Sequence, residues 1–190
     1  PPGSADARPG SWQPGPGEAL FRALERALGG LPLVAEDLGE TGKDVEALRD
    51  GLGLPGMRVL QFAFGGDDLN PFLPRHHVPH TVVYTGTHDN DTTLGWWAGI
   101  DERERRFVRE VIGPGSGDIA WDLMATGSAS VADTFIAPVQ DVLSFGSEAR
   151  LNTPGRADGN WTWRLAPGAL GPAHAERLHA LAGTSGRCRG

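Results

Sequence analysis

Polar side chains that could carry out acid–base chemistry follow two short apolar runs of the sequence. They are Glu36 and Asp37 after LPLVA, and His88, Asp89, Asn90 and Asp91 after TVVYT. Two carboxylates at neighbouring strand ends are what cleavage of a glycosidic bond requires. One carboxyl group donates a proton to the leaving oxygen, and the other stabilises or attacks the anomeric carbon. Glu36 and Asp89 are therefore candidates for such a pair.

Each carboxylate also has a structural interpretation that the residues alone leave open. Glu36 could cap a helix or form an ion pair, and Asp89 could close an Asx-type turn on its own backbone. Tryptophans add weight to a carbohydrate site, because aromatic rings are the usual platform for sugar rings. Those that follow polar loops are Trp96, Trp97, Trp161 and Trp163. A tryptophan near the start of a helix is more often part of the core, so only the combination favours a carbohydrate site over other small-molecule sites.

Two other motifs are explained without chemistry. His76, His77 and His80 lie in a proline-punctuated loop with no carboxylate or cysteine at ligand spacing, so no metal site is predicted. GLGLPG at 51–56 fits G-x-G-x-x-G, but it follows a predicted helix and precedes a predicted strand. A dinucleotide-binding loop needs the reverse order, so this motif is interpreted as the end of a helix.

Short apolar runs alternate with amphipathic segments along the chain. Helices are predicted at 18–28, 43–52, 101–112, 118–126 and 172–182. Strands are predicted at 31–35, 57–64, 81–85 and 132–140. This alternation predicts an α/β fold with parallel strands, and in such folds ligands bind at the carboxyl ends of the strands. Residues 1–17, rich in Pro and Gly, are predicted to be a loop or a disordered arm ahead of one domain at 18–190.

Composition argues against several classes of partner. The formal net charge is −7 and no Lys/Arg cluster is present, which argues against nucleic acid. No apolar run approaches membrane-spanning length. Cys188 is the single cysteine, so no internal disulfide can form, and with the lack of a visible secretory signal this predicts a reducing, cytoplasmic setting. The chain starts with Pro1 rather than Met, which suggests a piece of a longer protein.

Seven segments of the sequence, taken in order, resemble one enzyme family. They are LPLVAEDLGE, GLPGMRVLQFAF, NPFLP, VVYTGTHDNDTTLGWW, APVQDVL, EARLNTPG and NWTWR. They are similar to the C-terminal half of the 4-alpha-glucanotransferases (amylomaltases, or disproportionating enzymes) of the alpha-amylase clan. The similarity runs from about Trp12 to the end of the final predicted helix, and AEDLG and TGTHDNDT are its most specific parts.

The resemblance implies roles for several residues. The family fold is a (β/α)8 TIM barrel with three acidic residues at its C-terminal face. By resemblance, Glu36 after the fifth strand is the general acid/base, Asp89 after the seventh stabilises the transition state, and His88 hydrogen-bonds the same sugar. The residues implied to line the acceptor side are Asn152, Pro154 and Gly155. No metal and no organic cofactor is implied.

The family's nucleophilic Asp, in a motif near Arg-x-Asp-His after the fourth strand, has no counterpart in this sequence. About four strands are predicted, whereas the barrel needs eight. The resemblance therefore implies strands five to eight of a longer enzyme, with the missing N-terminal half as its partner and no activity for the isolated chain. The complete enzyme would transfer α-1,4-glucan segments between a maltooligosaccharide donor and acceptor by a retaining double displacement. The alternatives are a non-catalytic glucan-binding remnant and an amylase-like α-glucan hydrolase.

Overall fold

The computed structural model describes residues 10–11, 13–39 and 42–188. The chain forms two units, one that ends at Pro55 and one that begins at Gly56. Most of the predicted N-terminal arm, residues 1–9 and Trp12, lies outside the described residues. No helix in the described part of the chain is both long enough and apolar enough to cross a membrane.

The described residues of the first unit form two helices, α1 (Glu18–Leu28) and α2 (Lys43–Gly51), which confirm the predicted helices at 18–28 and 43–52. Gly29 ends α1 in the left-handed conformation, with φ 75°, and its N–H donates to the carbonyl of Glu25 at 2.9 Å. Glycine suits this cap because it has no Cβ to clash in that conformation.

The prediction of a strand at 31–35 is wrong, because residues 31–38 form neither helix nor strand. Within the described part of the chain the run has one hydrogen bond to a distant segment, from the N–H of Ala35 to the carbonyl of Pro55 at 2.8 Å. Pro32 has no N–H to donate, and Leu33 and Val34 are exposed rather than buried. An apolar run becomes a strand only when a neighbouring strand pairs with it along its length.

The second unit is built on a parallel three-stranded sheet, which confirms the predicted parallel pairing. Its strands, in spatial order, are β1 (Gly56–Val59), β2 (Thr81–Tyr84) and β3 (Thr134–Ile136). Gly56 pairs with Thr81, and Val82 pairs with Thr134. The carboxyl ends of β1 and β2 therefore lie side by side, and the loop that carries His88 and Asp89 leaves the sheet there.

Two strands are shorter than predicted. After β1 the chain turns into a 3₁₀ helix at Leu60–Phe62, where the N–H of Gln61 donates to the carbonyl of Thr85 at 3.2 Å. After β3, Pro138 caps the short helix α6 (Val139–Val142), so the predicted strand at 132–140 spans only three residues. The apolar runs continue into the 3₁₀ helix and into α6 because apolar side chains are also buried in these two elements, although their backbone is not that of a strand.

Three longer helices of the second unit confirm the predictions at 101–112, 118–126 and 172–182. They are α4 (Glu102–Ile112), α5 (Ile119–Ser128) and α7 (Pro172–Thr184). A further helix, α3 (Thr93–Gly99), was not predicted. It has only seven residues, two of them glycine, and such a composition gives little helical signal. The hydroxyl of Thr92 caps α3 by accepting the N–H of Gly95 at 3.1 Å.

The helices pack against the sheet around a core whose buried members lie between positions 60 and 132. The buried apolar residues of this core are Leu60, Ala63, Phe64, Leu73, Val83, Val108, Leu123 and Ala132. Trp96 and Trp97 pack against it, with the Trp96 ring 5.8 Å from that of Phe64. These two tryptophans therefore serve the core, as the structural interpretation of them expected.

Helix α5 and strand β3 approach each other closely at a glycine. A Cβ on Gly127 would lie 2.4 Å from Cε2 of the Phe135 ring, closer than two carbon atoms can come. Gly127 is therefore needed for the present distance between the helix and the sheet.

Candidate functional site

The backbone of the loop after β2 is held by its own polar side chains. Oδ1 of Asn90 accepts hydrogen bonds from the N–H and the hydroxyl of Thr87, at 2.9 Å and 2.8 Å. The Thr87 hydroxyl in turn accepts the N–H of Asp89 at 3.3 Å. Thr87 and Asn90 therefore make the turn, and the Asp89 carboxylate is directed to other residues.

Asp89 forms a polar cluster with two residues that the resemblance singled out. Asn152 donates from Nδ2 to Oδ1 of Asp89 at 2.5 Å, and Nε2 of His88 lies 3.3 Å from the same oxygen. The side chains of His88 and Asp89 are both about half exposed, at 51% and 49%. The structure therefore brings together His88, Asp89 and Asn152, which are separated by up to 64 positions in the sequence, and leaves them open to a ligand.

Arg150 ties the two segments of this cluster together. Its Nη2 donates to the carbonyl of Asp89 at 2.7 Å, and its Nε donates to the carbonyl of Asn152 at 2.8 Å. Its Nη1 also lies 3.9 Å from Oδ2 of Asp91. Sequence reasoning missed Arg150, although it stands in the EARLNTPG segment, because the sequence does not show which side chain of a motif reaches another loop.

Asp91 fixes the far end of the loop. Its carboxylate accepts the hydroxyl of Ser147 at 2.7 Å and the N–H of Thr92 at 2.8 Å, and its carbonyl accepts Nε2 of Gln61 at 2.9 Å. A Cβ on Gly95 would lie 2.3 Å from the Ser147 hydroxyl oxygen and 2.5 Å from Oδ1 of Asp91. Only glycine at position 95 therefore allows these groups to meet without a shift.

A buried carboxylate lies at the base of the loop. Asp141, in α6, is 1% exposed and accepts the hydroxyl of Thr85 at 2.5 Å and both the N–H and the hydroxyl of Thr93 at 2.8 Å. Burial raises the pKa of Asp141, and the hydrogen bonds from Thr85 and Thr93 oppose that effect. Because Thr85 and Thr93 stand at the two ends of the loop, Asp141 fixes both ends at once.

The segment after Asn152 forms the exposed rim of the site and contains Pro154 and Gly155. Gly155 has φ 80°, a conformation that favours glycine. Asn160 closes the segment, because its Oδ1 accepts the N–H of Thr153 at 2.9 Å and its Nδ2 donates to the carbonyl of Arg156 at 2.9 Å. In the described contacts Pro154 and Gly155 do not join the His88–Asp89–Asn152 cluster directly.

Glu36 lies in the first unit, where it is exposed. Its neighbour Asp37 is 9% exposed and forms an ion pair with Arg49 of α2. The ion pair that was one structural interpretation of this position is therefore made by Asp37, and the side chain of Glu36 faces solvent.

Two of the three histidines in the proline-punctuated loop, His76 and His77, have separate partners. His77 is 7% exposed, with Nδ1 2.8 Å from the hydroxyl of Ser130 and Nε2 2.9 Å from the carbonyl of Phe72. Burial lowers the pKa of His77. His76 contacts the carbonyl of Asp68 at 2.8 Å. Among residues 10–11, 13–39 and 42–188, no three His, Cys, Asp or Glu side chains are grouped so that they could hold a metal ion.

The fold and the loop define an α/β protein with a polar site at the carboxyl end of a parallel sheet. The sequence model described as 4-alpha-glucanotransferase matches residues 1–170, and the chain belongs to this family. It is 50% identical over 181 residues to the 4-alpha-glucanotransferase of Thermus thermophilus. This match covers 91% of this chain and 36% of that relative. The enzyme of the same name from Synechocystis is 49% identical over 173 residues, or 90% of this chain and 34% of the relative.

Solved structures give the same result for the fold. The amylomaltase of Streptococcus agalactiae, in complex with acarbose, matches with a TM-score of 0.88 and 31% identity, over 95% of this chain and 37% of that one. The amylomaltase of Corynebacterium glutamicum matches over 87% of this chain and 30% of that one, with a TM-score of 0.61; at 19% identity it shows likeness of fold alone. The chain spans about a third of the length of the relatives it matches.

Proposed function

We propose that the chain is the C-terminal part of a 4-alpha-glucanotransferase, which moves α-1,4-glucan segments from one maltooligosaccharide to another. The observation that carries this proposal is the cluster of Asp89, His88 and Asn152 in a protein of this family. We also propose that β1 to β3 are strands six to eight of a (β/α)8 barrel and that the segment before Glu36 takes the fifth position in the complete barrel.

In this proposal the carboxylates divide the work of a retaining double displacement. Glu36 protonates the departing glycosidic oxygen and later removes the proton from the 4-hydroxyl of the acceptor, so its pKa must suit both steps. Asp89 and His88 bind hydroxyls of the reacting glucose and favour its distorted transition-state ring. Asn152, Pro154 and Gly155 line the acceptor side.

The covalent intermediate would form on an aspartate outside these 190 residues, because the sequence contains no Arg-x-Asp-His motif. Transfer outcompetes hydrolysis when the acceptor sugar displaces water from the intermediate. The reaction runs on carboxylates and needs no metal or organic cofactor. We further propose a cytoplasmic setting, which rests on the single cysteine.

Product analysis distinguishes transfer from hydrolysis. The protein expressed from its complete open reading frame is incubated with maltotriose, and both chain lengths and reducing ends are measured. Transfer replaces each broken bond, so glucose and longer oligosaccharides should appear while the number of reducing ends stays constant. A steady rise in reducing ends without longer products would identify an amylase-like hydrolase instead.

The 190-residue chain provides a second arm of this experiment. Incubated alone with maltotriose, it should release no glucose, because it lacks the nucleophile. Redistribution of chain lengths by this chain alone would contradict the assignment of the nucleophile to another segment. If the complete protein is also inactive but still binds maltooligosaccharides, the glucan-binding remnant becomes the better description.

A further inference from the structure

Trp161 combines a strained backbone with an exposed aromatic ring. Its φ is 61°, and in the described part of the chain Ser144 is the only other non-glycine residue with positive φ. A bulky residue is a true outlier in this conformation. Trp161 is nevertheless 52% exposed, so burial of its ring does not account for the strain. Strain of this kind at a residue that packing does not require points to a function.

Several hydrogen bonds hold Trp161 in this conformation. Its N–H donates to the carbonyl of Leu151 at 2.7 Å, and its carbonyl accepts Nη1 of Arg164 at 2.9 Å. The preceding residue, Asn160, is fixed in turn by the N–H of Thr153 at 2.9 Å. The backbone of Trp161 is therefore held from both sides.

The indole lies beside the polar cluster of the proposed site. Its ring centroid is 5.2 Å from that of His88, at an interplanar angle of 36°, and Nε2 of His88 is 3.3 Å from Oδ1 of Asp89. A pyranose ring has hydroxyls around its edge and C–H groups on its faces. Carboxylate and amide groups such as those of Asp89 and Asn152 suit the hydroxyls, and a flat apolar ring suits the C–H face.

We propose that Trp161 forms a glucose-binding subsite of the α-glucan chain beside the Asp89 cluster, where its indole stacks on the C–H face of one pyranose ring. This proposal rests on the proposed function. Trp163, two residues further along NWTWR, has a different environment: it is partly buried and packs edge-on against Phe145, with centroids 6.2 Å apart and an interplanar angle of 70°. The two tryptophans of this segment therefore have separate roles, one in binding and one in packing.

Two substitutions separate the ring from the backbone conformation. Trp161→Asn removes the aromatic ring but keeps a residue that tolerates positive φ, whereas Trp161→Phe keeps a flat ring. Both are made in the protein expressed from its complete open reading frame, and kcat, KM for maltotriose and Tm are measured. Trp163→Ala serves as the matched control for loss of a tryptophan from the same segment.

Trp161→Asn should raise KM for maltotriose about tenfold. This is the loss of binding affinity expected when roughly 50 Å² of apolar sugar surface no longer contacts the indole. Its Tm should stay within about 2 °C of the wild type, because the packing role of the ring is small. Trp161→Phe should retain a KM within about threefold of the wild type. Trp163→Ala should show the reverse pattern, with a lower Tm and an unchanged KM.

A wild-type KM in Trp161→Asn would overturn the subsite, and so would a rise in KM that Trp161→Phe does not reverse. A fall in Tm that accompanies the loss of activity would also overturn it, because the ring would then be structural. Failure of the proposed function has a different signature: the wild-type protein itself would form no longer oligosaccharides from maltotriose.

Discussion

Replacement of Asp141 by asparagine should destabilise the loop that carries His88 and Asp89. The Asp141 carboxylate is 1% exposed and accepts three hydrogen bonds, from the hydroxyl of Thr85 and from the N–H and hydroxyl of Thr93. Asparagine has the same shape but only one acceptor oxygen. In either orientation its NH₂ group replaces one acceptor oxygen, so at least one donor of Thr85 or Thr93 loses its acceptor.

The size of the effect follows from the balance of two terms. A hydrogen bond to a charged acceptor contributes about 1.5–3 kcal/mol, and a buried donor left without a partner adds its own cost of about 1–3 kcal/mol. Burial raises the pKa of Asp141, so the neutral amide recovers part of the cost of burying the carboxylate. We expect a net loss of about 2 kcal/mol in the free energy of unfolding. For a chain of this length that corresponds to a fall in Tm of about 4–8 °C.

Thermal unfolding followed by circular dichroism measures this change. Asp158→Asn is the matched control, because Asp158 is exposed and the same substitution there should change the free energy of unfolding by no more than about 0.5 kcal/mol. A Tm of Asp141→Asn equal to that of Asp158→Asn would refute the role of Asp141 as the anchor of the loop.

Two further predictions concern packing and pH. Gly127→Ala should lower the free energy of unfolding by about 1–3 kcal/mol, because the new Cβ would meet the ring of Phe135. Gly183→Ala in α7, where no atom lies within 4 Å of the new Cβ, should raise it by about 0.4–1 kcal/mol. Equal effects of the two substitutions in chemical denaturation would contradict the close approach at Gly127. Burial lowers the pKa of His77, so its contribution to stability is present above about pH 6.5 and is lost as the pH falls, because the unfolded state then binds the proton more readily. His77→Gln should flatten the decline in Tm between pH 7.5 and pH 5, and an undiminished decline in that variant would show that other groups cause it.

The sequence predicted the longer helices because their apolar residues recur at helical spacing, and it predicted the parallel pairing because strands and helices alternate along the chain. The helix at 101–112, for example, has charged residues on one face and Phe107 and Val111 on the other, and it forms at Glu102–Ile112. The run at 31–35 is apolar like a buried strand, but an apolar sequence does not show whether another strand pairs with it. The shortened ends of β1 and β3 have a similar cause, since buried apolar residues fit a 3₁₀ turn or a short helix as well as a strand.

The site was predictable only in part. The position of His88 and Asp89 after a strand could be read from the sequence. The resemblance singled out Asn152, but its hydrogen bond to Asp89 was not predicted. The role of Asp141 was missed, although it stands in the APVQDVL segment of the resemblance, because its partner Thr85 is 56 positions away. Four tryptophans looked alike in the sequence. The backbone conformation that distinguishes Trp161 from the core tryptophans Trp96 and Trp97 is held by hydrogen bonds to Leu151 and Arg164, which the sequence does not show.

The role of Glu36 as the general acid is tested most directly by changing the demand for a proton. In the protein expressed from its complete open reading frame, Glu36→Gln is compared with the wild type on maltotriose, whose leaving oxygen needs protonation, and on α-maltotriosyl fluoride, whose leaving group does not. We expect turnover of maltotriose to fall about 10²–10⁴-fold, while release of fluoride in the first turnover changes far less. Wild-type turnover of maltotriose by Glu36→Gln, or an equal loss with both donors, would contradict the assignment.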